Sequence, residues 1–407
     1  MRFFKTVSLK ESIDSIVSKL DKELKIDKEL KIEEVLLKNS LNKIIAENIV
    51  SNIDLPSFNR STVDGYAVKA KDIYGASEFS PIPLKNIGDA KMGEENISKI
   101  ELGQCMYIPT GGMLPVGADA MVMIEDCEAL GEEILVNKGV AQLSNIIVKG
   151  SEIKKDDCLV KSDERITSSH IGVLSSIGIS KVKVYEKIKF AIISTGDEIV
   201  ELGKELKIGE VYDINTNIFR ALIEEGLGEV TNTFLVKDNL SILSSTLKEA
   251  LETAHVVLIS GGSSVGVRDF TEKAIEDIGG NIFVHGISLK PGKPTIIAKY
   301  KNKFIFGMPG HPQSGVNVFK ALVEPIFLNK KRVKIYGKLK ENIYGDPGKT
   351  CFINVKLKTE DQKVQVYPVV SKSSMIRPIL DGDGYIVIPE HKEGLYKGEL
   401  VEVVLNV

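Results

Sequence analysis

His255-Val-Val-Leu-Ile-Ser-Gly-Gly-Ser-Ser-Val-Gly-Val-Arg-Asp269 decides the fold. Its first half is a short apolar run rich in β-branched residues, with no polar alternation. That is the pattern of a strand buried on both faces. The run breaks into glycine and serine, and a helical pattern over Phe270–Ile278 follows at once. The same order of strand, polar loop and helix recurs on either side. Ile188–Ile193 is a second apolar strand, ending in Ser194-Thr195-Gly196-Asp197-Glu198. Thr216–Glu225 reads as a helix stopped at Gly226, and Glu229–Val236 as a strand. Asn239 caps a helix that carries Leu240, Leu243, Leu247 and Leu251 on one face. Asn281–Ser288 and Thr295–Ala298 read as strands, and a helix from Ser314 to Phe327, with Ser314 as its N-cap, closes the unit. This alternation over 187–330 predicts an α/β domain, a parallel sheet covered by helices on both faces.

The flanks have other textures. Residues 51–147 hold short apolar runs, such as Met106–Ile108 and Ala120–Ile124, between Gly, Pro and Asn clusters, which predicts a β-rich module. Residues 335–407 show short strands separated by turns such as Asp381-Gly-Asp-Gly384, the pattern of a small barrel or sandwich. At the start, Ser8 and Glu11 have capping-box spacing, and Ile13, Ile16, Val17 and Leu20 then repeat at helical intervals. The lysine- and glutamate-rich stretch 19–34 reads as a solvated helix face and loop, and Ser40–Asn48 as a second short helix. Residues 148–186 read as a connector with a helix near Thr167–Ser176 and a strand at Lys181–Tyr185. No internal repeat is visible.

Composition bounds the function. The chain has 407 residues, 53 Lys and Arg against 56 Asp and Glu, and a net charge of −3. Such a length suits several domains with sizeable cores, and near-neutrality excludes a protein that coats nucleic acid. Cys105, Cys127, Cys158 and Cys351 lie far apart with no C-x-x-C spacing, so neither a disulfide framework nor a zinc ribbon is expected, and a reducing cytoplasm is the expected home. Lys10, Glu11 and Asp14 interrupt any signal-like apolar core near the start, and no stretch approaches the length of a membrane span.

In open α/β sheets, ligands bind at the carboxyl ends of the strands. Here those ends are Ser194–Glu198 and Gly261-Gly262-Ser263, where glycine lets backbone N–H groups approach an anion and a following helix adds its dipole. Gly261 to Gly266 has P-loop glycine spacing, yet Val267-Arg268 stands where Lys-Ser/Thr is needed, and no G-x-G-x-x-G follows the first strand. An NTPase of that type and a dinucleotide dehydrogenase are thus disfavoured. Lys290-Pro-Gly-Lys293-Pro projects two ammonium groups from a stiff segment, which suits phosphate or an oxyanion and equally a plain surface turn. Met308-Pro-Gly-His-Pro-Gln-Ser314 is a turn running into a helix; His311 reads as a pocket-lining residue rather than a base. Acidic residues recur at turns: Asp64, Glu125, Asp197, Glu198, Asp213, Asp238 and Asp269. Beside anion-binding loops they make sense when a divalent cation bridges them to the anion.

Ser57-Phe-Asn-Arg-Ser-Thr-Val-Asp64-Gly-Tyr-Ala-Val68 resembles the signature of the molybdopterin molybdenumtransferase family, known as MoeA in bacteria, to which the E domain of gephyrin also belongs. The likeness continues through Pro109-Thr110-Gly-Gly-Met-Leu-Pro-Val-Gly-Ala-Asp119-Ala, Ser194–Glu198, Gly261–Gly266, Lys290–Pro294 and the turn at 309–314, in family order. The resemblance implies a multidomain α/β plus β protein. Residues 1–50 with 148–186 would form an elongated connector domain, 51–147 the β-rich module, 187–330 the α/β molybdopterin-binding domain and 335–407 a C-terminal β-barrel. It implies a homodimer with an active cleft shared between subunits, contact with other molybdenum cofactor synthesis proteins, and neither nucleic acid nor membrane as a partner. The implied reaction inserts molybdenum from molybdate into adenylated molybdopterin and releases AMP, with Mg2+ assisting.

Carried over by position, Asp64, Thr110, Glu198, Asp238, Asp269, Lys290 and Lys293 would be catalytic. Glu198, Asp238 and Asp269 would hold the metal. Ser194, Thr195, Gly196, Asp197, Gly261, Gly262, Ser263, Pro309, Pro312 and Ser314 would bind substrate. Four positions depart from the family pattern: His311 in the usual Gly-Asn-Pro turn, His285 for a lysine, Lys349 for an arginine and Glu152 for an aspartate. They leave molybdate and tungstate both open. Two other roles share the resemblance, a molybdopterin adenylyltransferase and a non-catalytic scaffold; the separate module with Asp64 speaks against the first and the retained Asp64, Asp269 and Lys290 against the second. Charge is also segregated along the chain. Residues 100–137 hold seven acidic residues and no Lys or Arg, while 278–323 hold six lysines and no Asp or Glu.

Overall fold

A computed structural model describes residues 6–20, 31–226, 228–261, 265–328, 332–369 and 374–406. Two compact units emerge, one formed by Ile32–Tyr185 and one by Met1–Lys31 with Glu186–Val407. Helix α1 (Leu9–Lys19) opens the second of these. Its Ser8–Glu11 capping box is made in both directions, and Ile16 enters the core of that unit.

In the unit formed by Ile32–Tyr185, strand β1 (Ile32–Leu36) is followed by β2 (Gly65–Val68), β3 (Ile82–Asp89), β4 (Gln104–Ile108), β5 (Ala120–Met123), β6 (Cys127–Leu130), β7 (Glu133–Val136), helix α2 (Ser168–Ser176) and β8 (Lys181–Tyr185). A six-stranded sheet runs β5-β2-β4-β3-β7-β6 and packs its apolar faces around Val68, Cys105 and Val122 and around Ala67, Ile108 and Met121. β1 pairs antiparallel with β8, and Val182 and Val184 of β8 join Leu37, Ile45, Val160 and Leu174 in a separate small core.

Two expectations fail here. Ile32–Leu36 is a strand, not part of a helix face and loop, because it pairs antiparallel with Lys181–Tyr185 along its length and Val35 packs on the connector core. The rest of that stretch, 21–30, lies outside the described residues. No helix covers Ser40–Asn48: a short 3-10 turn at Leu37–Asn39 precedes irregular chain in which Asn42 N–H donates to Ile166 O, Ile45 N–H to Glu164 O and Ala46 N–H to Lys183 O. Partners distant in sequence take the donors that a helix would have used internally.

The other unit carries β9 (Lys189–Thr195), helix α3 (Asn215–Glu225), β10 (Glu229–Val236), α4 (Leu240–Thr253), β11 (Val256–Gly261), α5 (Val265–Asp277), β12 (Asn281–His285), β13 (Leu289–Lys290), β14 (Ile296–Tyr300), β15 (Lys303–Met308) and α6 (Pro312–Val318), which passes into a π-helix at Phe319–Leu328. The sheet order is β10-β9-β11-β15-β14-β12. Along β9, Phe190 and Ile192 face a core shared with α1, α3 and the π-helix, while Ala191 and Ile193 face a second core under α4 and α5. Burial on both faces is why these strands read as continuous apolar runs. The sheet is mixed rather than all parallel. β10, β9, β11 and β15 are parallel, but β14 runs antiparallel to both its neighbours, β15 and β12, because β15 follows β14 through a tight turn at Lys301–Asn302 that permits no crossover. Ser314 is not an N-cap either: His311 occupies that position, Pro312 fills the first turn, where its missing N–H costs nothing, and Ser314 is buried one turn in.

The tail resolves into a barrel. β16 (Lys334–Leu339), β17 (Thr350–Glu360), β18 (Lys363–Pro368), β19 (Gly384–Ile388) and β20 (Leu400–Leu405) run in the order β17-β18-β16-β20-β19, and β19 pairs back to β17 to close the ring. β13 adds to the outside of β17, in parallel, with Lys290 opposite Cys351.

Candidate active site

The four parallel strands deliver their carboxyl ends to one edge of the sheet, and antiparallel β14 brings its amino end to the same edge. The order along that edge is Asp238 after β10, Ser194–Glu198 at and beyond the end of β9, Ser260 and Gly261 at the end of β11, and Pro309 and Gly310 after β15. The Lys290–Pro294 loop arrives there because it precedes β14. Ser194 Oγ donates to Asp213 Oδ1 at 3.0 Å and lies 2.8 Å from Thr216 Oγ1. Thr195 Oγ1 donates to Asp238 Oδ1 at 3.2 Å, and the Asp238 N–H donates to Asp197 Oδ1 at 3.3 Å. Partial burial raises the Asp238 carboxyl above the usual carboxylate range. Asp197 and Glu198 push it further, while the Thr195 hydrogen bond and Lys237 oppose them. Asn215 Nδ2 donates to Ser260 Oγ at 2.7 Å and to Gly310 O at 2.8 Å, which ties the ends of β11 and β15 to the start of α3.

Further along the same edge, reaching from Gly261, lies a cavity of about 340 Å³, lined by Lys290, Lys293, Pro309, Ser314, Asp346 and Lys349 among others. Its basic loop is closed by Thr295, whose hydroxyl donates to Gly292 O at 2.8 Å. Gly292 sits at φ +147, and a Cβ there would stand 2.8 Å from Leu289 Cδ2, so the loop accepts only glycine at that point. The barrel supplies the far wall. Asp346-Pro347-Gly348-Lys349 has proline second, glycine third at φ +80, and the Lys349 N–H donating to Asp346 O at 2.9 Å, the pattern of a type II turn. The Asp346 carboxylate accepts from both sides, at 2.7 Å from Lys349 Nζ and 3.2 Å from Lys290 Nζ. Lys349 and then Lys290 hold it below the usual carboxylate range.

In the unit formed by Ile32–Tyr185, Asp64 and Thr110 meet: the Thr110 N–H donates to Asp64 Oδ1 at 2.7 Å. Asp64 is exposed on the turn into β2, and Gly65 behind it has no room for a side chain, since a Cβ would stand 1.9 Å from Val122 O. The Asp-Gly order thus puts the carboxylate at the rim and lets β2 and β5 approach closely.

The structure therefore groups the expected residues in two sets. Asp64 and Thr110 form one. Thr195, Asp197, Glu198, Asp238, Gly261, Lys290, Lys293, Pro309, Pro312 and Ser314 share the strand-end edge of the other unit, with Gly196 between them. Ser194 lies at the same edge, but its hydroxyl is fully buried and engaged by Asp213. Gly262 and Ser263 lie outside the described residues. Asp269 falls in the first turns of α5, and its side chain is not described. Among the described residues no group of three His, Cys, Asp or Glu side chains converges on a metal position. Glu198 and Asp238 nevertheless offer carboxylate oxygens, the donor class of a hard divalent cation that keeps waters and substrate phosphates in its shell. Sequence reading passed over Asn215 and Asp346. Asn215 carried no signal beyond its place near a helix start, and the only signal near Asp346 is the Pro347-Gly348 turn that follows it.

Three family models match the chain in succession: MoeA N-terminal region (domain I and II) over residues 7–178, Probable molybdopterin binding domain over 191–329, and MoeA C-terminal region (domain IV) over 336–405. The molybdopterin molybdenumtransferase of Haemophilus influenzae is 36% identical over 296 residues, 72% of each chain. That of Staphylococcus epidermidis is 30% identical over 407 residues, covering 98% of this chain and 96% of its own. A crystal structure of a molybdopterin biosynthesis MoeA protein from Pyrococcus horikoshii superposes with a TM-score of 0.84 at 40% identity, covering 98% of this chain and 99% of that one.

Proposed function

Because the chain belongs to the MoeA family of molybdopterin molybdenumtransferases, transferases of molybdenum cofactor biosynthesis, we propose that it moves molybdate-derived metal into adenylated molybdopterin and releases AMP at the strand-end edge described above. The observation that carries this reading is the placement of two opposite surfaces on one sheet edge: the lysine-lined cavity at Lys290, Lys293 and Lys349, and the carboxylates of Asp197, Glu198 and Asp238. Lys290 and Lys293 bind the oxyanion or the substrate phosphate, with Pro309 and Ser314 in the wall and Pro312 starting the helix that carries Ser314. Gly261, at the end of β11, leaves room for phosphate to approach the backbone, and α5 adds a favourable N-terminal dipole. Thr195 orients Asp238 through its hydroxyl. Asp238 and Glu198, with Asp269, are the proposed holders of Mg2+, which when bound supplies charge neutralisation at the AMP–molybdopterin phosphate link. The protein's part is positioning and electrostatics in a site partly closed to water.

Asp64 and Thr110 complete the site in this reading, contributed across a homodimer. The four cysteines, all unpaired, suit the reducing cytoplasm, where we place the reaction. The test is direct. Purified protein given adenylated molybdopterin, Mg2+ and either molybdate or tungstate should release AMP in an oxyanion-dependent way. Asp269→Asn and Lys290→Ala should each slow that release at least about tenfold with an unchanged circular dichroism spectrum. Release at the wild-type rate in both variants would place the chemistry elsewhere, and release that ignores the oxyanion would sink the transferase reading.

A further inference from the structure

The lysine-lined cavity contains one carboxylate that no part of the reaction calls for. Asp346 comes from the barrel, two residues before Gly348, and its carboxylate is shared between Lys290 Nζ and Lys349 Nζ at 3.2 and 2.7 Å. Those two ammonium groups stand on different elements, the last residue of β13 and the turn before β17, which are stitched together by the β13–β17 pairing and by Thr350 N–H donating to Ser288 O at 2.9 Å. Lys293, also lining the cavity, is exposed and makes no ion pair among the described residues. Among the described residues, the charged side chains lining the cavity are thus three lysines and one carboxylate, with His311 beside them.

Two consequences follow from distance alone. An oxyanion that hydrogen-bonds to either shared ammonium lies within about 6 Å of Asp346, since each contact is a hydrogen-bond length. At that range a carboxylate repels an anion in proportion to the anion's charge. An oxyanion entering the cavity must also share each of these ammonium groups with Asp346, which already engages one donor of each. We propose that Asp346 is a built-in competitor for the oxyanion: it occupies Lys290 and Lys349 in the empty site, and it lowers affinity for dianions more than for monoanions, so that bound oxyanion is released readily to the acceptor. The proposal rests on the assignment of this cavity as the oxyanion site. Asp346 acts through the lysines and is a positioning residue, not a catalytic one.

The experiment is equilibrium dialysis of the full chain against two tetrahedral oxyanions of similar size and different charge, molybdate and perrhenate. Asn is equally at home at the first position of this turn, so Asp346→Asn keeps the fold of the loop. The variant should bind molybdate about tenfold more tightly and perrhenate about threefold, because the repulsion removed scales with ligand charge. Asp346→Glu, which keeps the charge, should stay near wild type in the molybdate-to-perrhenate ratio. If Asp346→Asn binds both anions equally or more weakly than the wild type, the carboxylate merely organises the lysines and the proposal is overturned. Lys290→Ala separates the two layers of inference. If it binds molybdate as well as the wild type, the cavity is not the oxyanion site and the functional reading falls together with the proposal. If it loses molybdate while Asp346→Asn leaves the ratio unchanged, the functional reading stands and only the role of Asp346 is wrong.

Discussion

Asp238 shows how a single residue sets function against stability. Its carboxyl is partly buried, faces Asp197 and Glu198, and keeps only the Thr195 hydroxyl and Lys237 in its favour, so its proton is held more tightly in the folded state than in the unfolded chain. A carboxyl with a raised folded pKa contributes stability below its unfolded value of 3.8, and that contribution is lost as the pH rises through the folded value. At neutral pH the ionised group therefore works against the fold. Asp238→Asn keeps the oxygen that accepts from Thr195 and removes the charge. The variant should melt above the wild type at pH 7, the gap should narrow as the pH is lowered toward 4, and AMP release should fall. A lower melting temperature at pH 7 would mean that the carboxylate is stabilised by a partner in the folded chain. Asp64 is the contrasting case, since its pairing with Thr110 N–H is legible in the motif only once family order is recognised.

Among the elements, the π-helix at Phe319–Leu328 carries the strongest buried electrostatic commitment. Glu324 lies on it, and Arg332 just beyond closes a bidentate pair with it at 2.6 and 2.5 Å, with the two side chains 3% and 4% exposed. The Arg332 guanidinium also reaches the Leu405 carbonyl at the end of β20, so the pair fastens the last helical turn to the barrel. Removing one partner leaves a charge in a dry place, whereas removing both leaves an apolar gap that can be filled. Arg332→Met should destabilise this unit by about 3–5 kcal/mol in urea titrations, and Arg332→Met with Glu324→Leu should recover most of that loss. If the double variant is no more stable than the single one, the pair is held by more than mutual charge. Helix periodicity and caps were readable at this scale: Ser8 with Glu11, Asn239 ahead of α4, and Gly226 at the end of α3 all stand as the pattern implies. The failed helix at Ser40–Asn48 had the right residues for a short helix, but its donors were claimed by residues more than a hundred positions away.

At the scale of the whole molecule, the two sets of site residues belong to different compact units, with Asp64 and Thr110 in the unit of Ile32–Tyr185 and the lysine loop in the other. A shared cleft in a homodimer is the arrangement we propose for bringing such sets together. Light scattering at working concentration should then give twice the chain mass, and a stable, active monomer would remove the shared cleft. By itself the sequence determined the class of each layer: the both-faces-buried strands, the capped helices, the short strands of the flanking modules and the charge split between 100–137 and 278–323. Those are local properties, fixed by side-chain periodicity and turn chemistry within a few residues. Only the tertiary structure decided that the sheet is mixed, in which order the strands of the expected barrel pair and close, and that Asp346 stands between Lys290 and Lys349. Each of those depends on which distant segments pair, and pairing is settled by the burial and hydrogen bonding of the whole unit, which no short window of sequence contains.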